Sequence, residues 1–98
     1  MISFCSALFA RGFSVEVVTP AYVQITLSTG DRLAIMVGKG NACSTAHPYM
    51  HHAPDALFRA TDAEVGLLPE GARTCTEIRG FQTTAMIEEW ISALEKGR

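Results

Sequence analysis

Apolar and polar residues alternate through three neighbouring stretches, Phe13–Val18, Tyr22–Leu27 and Arg32–Val37. Side chains along a strand point to opposite faces in turn. Val23, Ile25 and Leu27 therefore share one face of the second stretch, and Leu33, Ile35 and Val37 share one face of the third. A two-residue turn at Thr29-Gly30 would set Leu27 against Arg32 and mix the faces. A loop of three or five residues containing Gly30 is expected instead, with Leu27 against Leu33, Ile25 against Ile35 and Val23 against Val37. With Thr19-Pro20-Ala21 as the first turn, Val17 meets Val23, Val15 meets Ile25 and Phe13 meets Leu27. Three apolar rows then cross one face, while Ser14, Glu16, Gln24, Thr26, Arg32, Ala34 and Met36 occupy a mixed face. That asymmetry describes an antiparallel meander covered on one side.

The flanking segments supply the cover. Ser3 can cap a short helix over Phe4–Arg11 that ends at Gly12, with Cys5, Leu8 and Phe9 turned to the sheet. A strand starting at Ile2 is the alternative. Ala63–Leu68 predicts a fourth strand, Pro69–Ala72 a turn and Thr74–Arg79 a fifth strand, with Gly80-Phe81-Gln82 leading out of it. Asp55–Thr61 suits a short helical turn. Thr83 or Thr84 then caps a helix over Ala85–Lys96. Its apolar stripe is Met86, Ile87, Trp90, Ile91 and Leu94, and its wet side carries Glu88, Glu89, Ser92, Glu95 and Lys96. The expected fold is α+β: an antiparallel sheet of four to five strands, with the C-terminal helix and a short N-terminal helix packed on one face.

At 98 residues, the chain suits a single domain able to bury a core without staples. A hydrophobic fraction of 48% excludes a disordered chain. Net charge of −2, with basic residues scattered rather than clustered, argues against direct nucleic-acid binding by bulk charge. Three widely spaced cysteines, Cys5, Cys43 and Cys75, make no disulfide framework and suit free thiols in a reducing cytoplasm. The apolar start, Ile2–Ala10, is too short for a membrane span and lacks the basic flank of a signal peptide. The expected location is the cytoplasm, with no membrane partner.

Candidate chemistry gathers in Gly38–Pro54, a long irregular connection holding all three histidines, Cys43 and Tyr49. Long loops in small domains tend to be functional or disordered. Cys43, His47, His51 and His52 are soft and imidazole donors close together, yet they fit neither the paired-Cys nor the helical His template for zinc. Cys43 with His47 resembles a nucleophile and base without a visible orienting group or oxyanion site. Gly38-Lys39-Gly40-Asn41 follows a strand, as a phosphate loop would, but lacks the Gly-Lys-Ser/Thr ending. Tyr49, Met50, His51 and His52 make a semi-apolar tip suited to contact. Lys39, Asn41, His47, Tyr49, Met50, His51 and His52 are thus the candidate partner- or ligand-binding residues; no cofactor, resident metal or catalytic residue is assigned.

The entry Gly12-Phe-Ser-Val-Glu-Val17 and the string Leu33-Ala-Ile-Met-Val-Gly-Lys-Gly-Asn-Ala-Cys43 resemble small bacteriophage and prophage accessory proteins. Such proteins carry an aliphatic strand running into Gly-x-Gly-Asn-x-Cys, and the His47–His52 insert departs from that pattern. The resemblance implies a binding protein at work in a host bacterial cell, including inhibitors of host defence of the anti-CRISPR type. The expected function is therefore non-enzymatic contact with a host protein. A small-ligand, nucleotide-sequestering oligomer and a metal- or Cys-dependent hydrolase built on Cys43, His47, His51 and His52 are the alternatives. A homodimer docked at the sheet's exposed end, Val18, Tyr22 and Met36, is the further partner considered.

Overall fold

In the computed structural model, which describes residues 1–37, 43 and 60–96, the chain opens with helix α1 (Ile2–Ala10) and closes with helix α2 (Thr84–Lys96). Between them run β1 (Ser14–Thr19), β2 (Tyr22–Thr26), β3 (Arg32–Met36), β4 (Asp62–Leu68) and β5 (Glu77–Thr83). The strands form one antiparallel sheet in sequence order, β1-β2-β3-β4-β5. This is the α+β architecture expected from the pattern, with a full five strands. The helical turn expected at Asp55–Thr61 lies outside the described residues except for Ala60 and Thr61, which are not helical.

The first hairpin has the expected pairing, Val15 with Ile25 and Val17 with Val23. Its turn is tighter than expected, because Val18 is left over as an irregularity and Thr19 pairs with Tyr22. The second hairpin is displaced. Ile25 pairs with Leu33 and Val23 with Ile35, two residues from the expected register. A shift of two keeps every side chain on its face, so the apolar face survives the correction. The cause is the turn: Leu27 N–H donates to Asp31 O at 2.8 Å, leaving only Ser28-Thr29-Gly30 to reverse the chain. Gly30 takes φ +90°, the left-handed conformation such a loop requires. Leu27 loses its expected apolar partner yet is 3% exposed, because the hydrophobic core covers it.

Two rows therefore cross the sheet: Val15, Ile25, Leu33 and Leu67, then Val17, Val23, Ile35 and Val65. Both helices lie on this face, α1 beside β1 and α2 beside β5. α1 buries Cys5 and Leu8, but Phe9 points to solvent at 67% exposure, against the expectation that it would face the sheet. Phe9 lies one position beyond Leu8, too far round the helix to follow it inward. Ser3 does not cap α1; Met1 holds that position without a side-chain bond. Gly12 ends the helix as expected, at φ +97°. Its N–H donates to Phe9 O and the Phe13 N–H to Leu8 O, the paired closure of a Schellman motif.

α2 is capped by Thr83, whose hydroxyl accepts the Met86 N–H at 3.4 Å. Ile87, Trp90 and Ile91 are buried, each contributing roughly 1.5–3 kcal/mol of transfer free energy. Met86, expected in the same stripe, is exposed. β5 also differs from its expected span: it starts at Glu77 and takes in Gly80, Phe81 and Gln82. Thr74–Thr76 instead belongs to the connection from β4, which folds onto the second face. There Cys75 lies over Gly66, so near that a Cβ on Gly66 would come within 2.5 Å of Sγ. That face also carries a polar run, with Arg32 donating to Gln24 (3.4 Å) and to Ala72 O (3.1 Å), and Gln24 to Tyr22 (2.6 Å).

Candidate functional site

The binding residues expected from the sequence, Lys39, Asn41, His47, Tyr49, Met50, His51 and His52, lie outside the described residues. Cys43 is described and is buried at 4% exposure within the hydrophobic core. None of the three cysteines is in a disulfide. Among the described residues no three His, Cys, Asp or Glu side chains are grouped so as to hold a metal ion. No helix there is long and apolar enough to cross a membrane.

The described surface carries its own signal, on β5 and the first turn of α2. Ile78, Phe81 and Met86 are large apolar side chains at 58%, 57% and 47% exposure, within nine residues of sequence. Their display has a local cause. Val65 pairs with Arg79 and Ala63 with Gln82, so Gly80 and Phe81 together oppose the single residue Glu64. This β-bulge bends the edge strand and re-aims its side chains. Phe81 absorbs the bend at φ +53°, while its neighbour Gly80, the residue suited to such a backbone, does not. A bulky L-residue pays about 1–2 kcal/mol for the left-handed conformation.

Arg79 holds the strand beside the bulge. Its guanidinium lies 3.9 Å from the Trp90 ring centroid and pairs with Glu77. A cation this close to the most electron-rich aromatic face is attracted by the ring quadrupole. Trp90 is itself buried in the core, so the stack ties the edge of the sheet to α2. Ile78 is opposite Gly66 and shares the space above it with Cys75. Sequence reasoning missed this patch because Thr74–Arg79 has a weak alternation and Gly80-Phe81-Gln82 reads as a chain leaving a sheet. The one available sign was a Phe set among Arg79, Gly80 and Gln82, without an apolar neighbour to pack on.

No protein-family model, curated protein or solved structure matches this chain.

Two clefts lie nearer the N-terminus. One, of about 440 Å³, is lined by Arg11, Phe13, Leu27, Ser28 and Glu95. Its charges are engaged within the fold: Arg11 pairs with Glu88 at 2.7 Å, and Glu95 accepts both the N–H (3.0 Å) and the hydroxyl of Ser28. The other, of about 250 Å³, lies between α1 and β1 and is lined by Ile2, Cys5, Ser6, Phe9, Val15 and Val17. Burial pushes the Cys5 thiol above its ordinary value, and the nearby N-terminal ammonium partly opposes that rise. A thiol kept protonated is a poor nucleophile. The described geometry offers shape and apolar contact, and its charged groups serve the fold.

Proposed function

We propose that this chain is a non-enzymatic binding protein acting by protein–protein contact, and that its partner is a host protein. In the phage setting that the sequence resemblance implies, it is an inhibitor of a host defence system. The observation that supports this reading is Phe81. A large aromatic side chain kept in water, on a strained backbone, does nothing for the core, and strain of this kind tends to persist where function requires it. Ile78, on the same strand, and Met86, in the first turn of α2, are further exposed apolar side chains of the kind that protein interfaces favour. The Arg79–Trp90 stack pre-organises the strand, which lowers the ordering cost of association.

The test is a plating assay. The chain is expressed in bacteria carrying a defined defence system, and a phage restricted by that system is titred. The parent chain should restore plating, and Ile78→Asp with Phe81→Asp should abolish the effect while retaining a cooperative melt. Truncating an anchor at an interface centre can cost 2 kcal/mol or more, roughly thirtyfold in affinity. Failure of the parent chain to relieve any of a panel of CRISPR and restriction systems would remove the defence-inhibitor reading. Relief retained in full by the double variant would move the contact away from β5, with Lys39–His52 the next segment to substitute.

A further inference from the structure

The other edge of the sheet, β1, which no described strand pairs with, is built differently. Edge strands usually carry Lys, Pro or inward charge that discourages pairing. β5 has Glu77, Arg79 and a bulge, whereas the Ser14–Thr19 strand has Glu16 as its one charge. Val17 and Val18 are exposed along it, at 56% and 48%. The helix beside it is equally unguarded. α1 (Ile2–Ala10) contains no charged residue, and Ile2, Ser6 and Phe9, at i, i+4 and i+7, border the cleft over β1. A helix that is apolar most of the way round belongs in an interior.

The hydrogen-bond phase shows which backbone groups this edge presents. In an antiparallel ladder, alternate residues bond to alternate neighbours. Leu27 N–H donates to Asp31 O and Val37 N–H to Ala21 O, so the odd-numbered residues of β2 bond toward β3. Its even-numbered residues bond toward β1, where Gln24 pairs with Glu16 and Thr26 with Ser14. Val15 and Val17 therefore direct their N–H and C=O groups outward. Phe13 N–H is already given to Leu8 O, which leaves its carbonyl.

We propose that β1 is the interface of a symmetric dimer, in which a second copy of this chain lays its β1 antiparallel to the first with Val15 against Val15 on the twofold axis. The segment Phe13-Ser-Val-Glu-Val17 is self-complementary in that register. Phe13 faces Val17 of the second copy on the covered face, and Ser14 faces its Glu16 on the open face. The Val15 residues exchange both backbone bonds, and each Val17 N–H reaches a Phe13 carbonyl. Neighbouring registers are worse. Moving by one pair sets Glu16 against Glu16, like charges directly opposite. Moving the other way centres the pairing on Ser14 and runs Glu16 against Gly12, the left-handed residue that ends α1. The dyad also brings the two α1 flanks together, covering Phe9, Ile2 and the cleft.

A standard interface takes about 800 Å² per partner, roughly a seventh of the 5507 Å² of this chain. Nine residues of α1 and six of β1 flank the axis. This interface is at the edge opposite Phe81, so it and the host-partner reading stand or fall separately.

Sedimentation velocity and oxidative cross-linking test the proposal. The parent chain should sediment at twice its 10.6 kDa. Val17→Lys should sediment as a monomer with unchanged far-UV circular dichroism, because Val17 is mostly exposed in the single chain. Val18→Lys, one residue away and outside the paired segment, should remain dimeric. In a Cys75→Ser background, Val15→Cys should cross-link to itself, since a bonded pair has Cα atoms about 5.5 Å apart, within disulfide range. Val17→Cys, which faces Phe13, should not. A monomeric parent chain overturns the proposal, as does a dimer indifferent to Val17→Lys or one that links through Val17→Cys rather than Val15→Cys.

Discussion

Phe81 allows a test in which the sign of an effect carries the answer. In ordinary strand backbone, replacing Ala by Gly costs roughly 0.5–1 kcal/mol, because Gly loses more freedom on folding. At φ +53° the Ala variant retains the left-handed penalty of about 1–2 kcal/mol, and the Gly variant sheds it. Phe81→Gly should therefore be more stable than Phe81→Ala by roughly 0.5–1 kcal/mol. Loss of the ring contributes equally to both variants and cancels from the comparison. Urea unfolding followed by circular dichroism resolves such a difference. In a domain of this size it corresponds to roughly 2–8 °C in Tm. An Ala variant as stable as the Gly variant, or more so, would mean that the backbone at Phe81 relaxes without strain. The argument that its conformation is retained for contact would then fail.

Other perturbations follow from the packing. Ile25→Asp places a carboxylate in the middle of the buried face and should leave no cooperative melt, whereas Thr26→Asp, on the half-open face, should shift Tm by only a few degrees; equal melts would put the sheet register in error. Gly66→Ala should destabilise by roughly 1–3 kcal/mol through its collision with Cys75, and Cys75→Gly should recover most of that loss in a double-mutant cycle; additive effects would show that the sulfur simply rotates away. Cys75, half-buried, should react with a thiol reagent well before Cys5 and Cys43, both buried; simultaneous release of all three in the native state would contradict the core assignment. The raised Cys5 value means that the folded state holds this proton more tightly than the unfolded one. Its contribution is complete below the ordinary thiol value of 9.0 and is lost as pH rises through the folded value. Denaturation midpoints taken from pH 8 to pH 11 should fall less steeply in Cys5→Val than in the parent.

The alternation of Val23, Ile25, Leu33 and Ile35 was legible because a half-covered sheet imposes a period of two on whatever sequence forms it. The stripe Ile87, Trp90, Ile91 was legible for the corresponding reason in a helix. The pairing of β2 with β3 was not, because shifts by two residues leave each face unchanged, and the backbone of Ser28-Thr29-Gly30 decides between them. β5 was misplaced because its residues are solvated on most sides, which removes the burial that writes a pattern. Phe9 and Met86 look like core residues in the sequence, and only their direction shows otherwise. Lys39 to His52 stand out by loop composition, which records that a segment is unusual without saying what it touches.

The sequential strand order has a kinetic consequence. Every strand pairs with its neighbour along the chain, so the contacts that build the sheet are mostly short-range, and such topologies fold quickly for β proteins. The β1-β2-β3 meander and the β4-β5 pair can each form by local closure. They are joined by the long link between Met36 and Asp62, whose closure is the expensive step. That expense grows only logarithmically, by about 0.6 kcal/mol for each doubling of loop length. Length in that link is therefore cheap in itself, whereas Val37, Cys43 and Ala60, which belong to the core, are positions the fold depends on. A chain arranged in this way folds its two halves locally and joins them through a few buried positions, Cys43 among them.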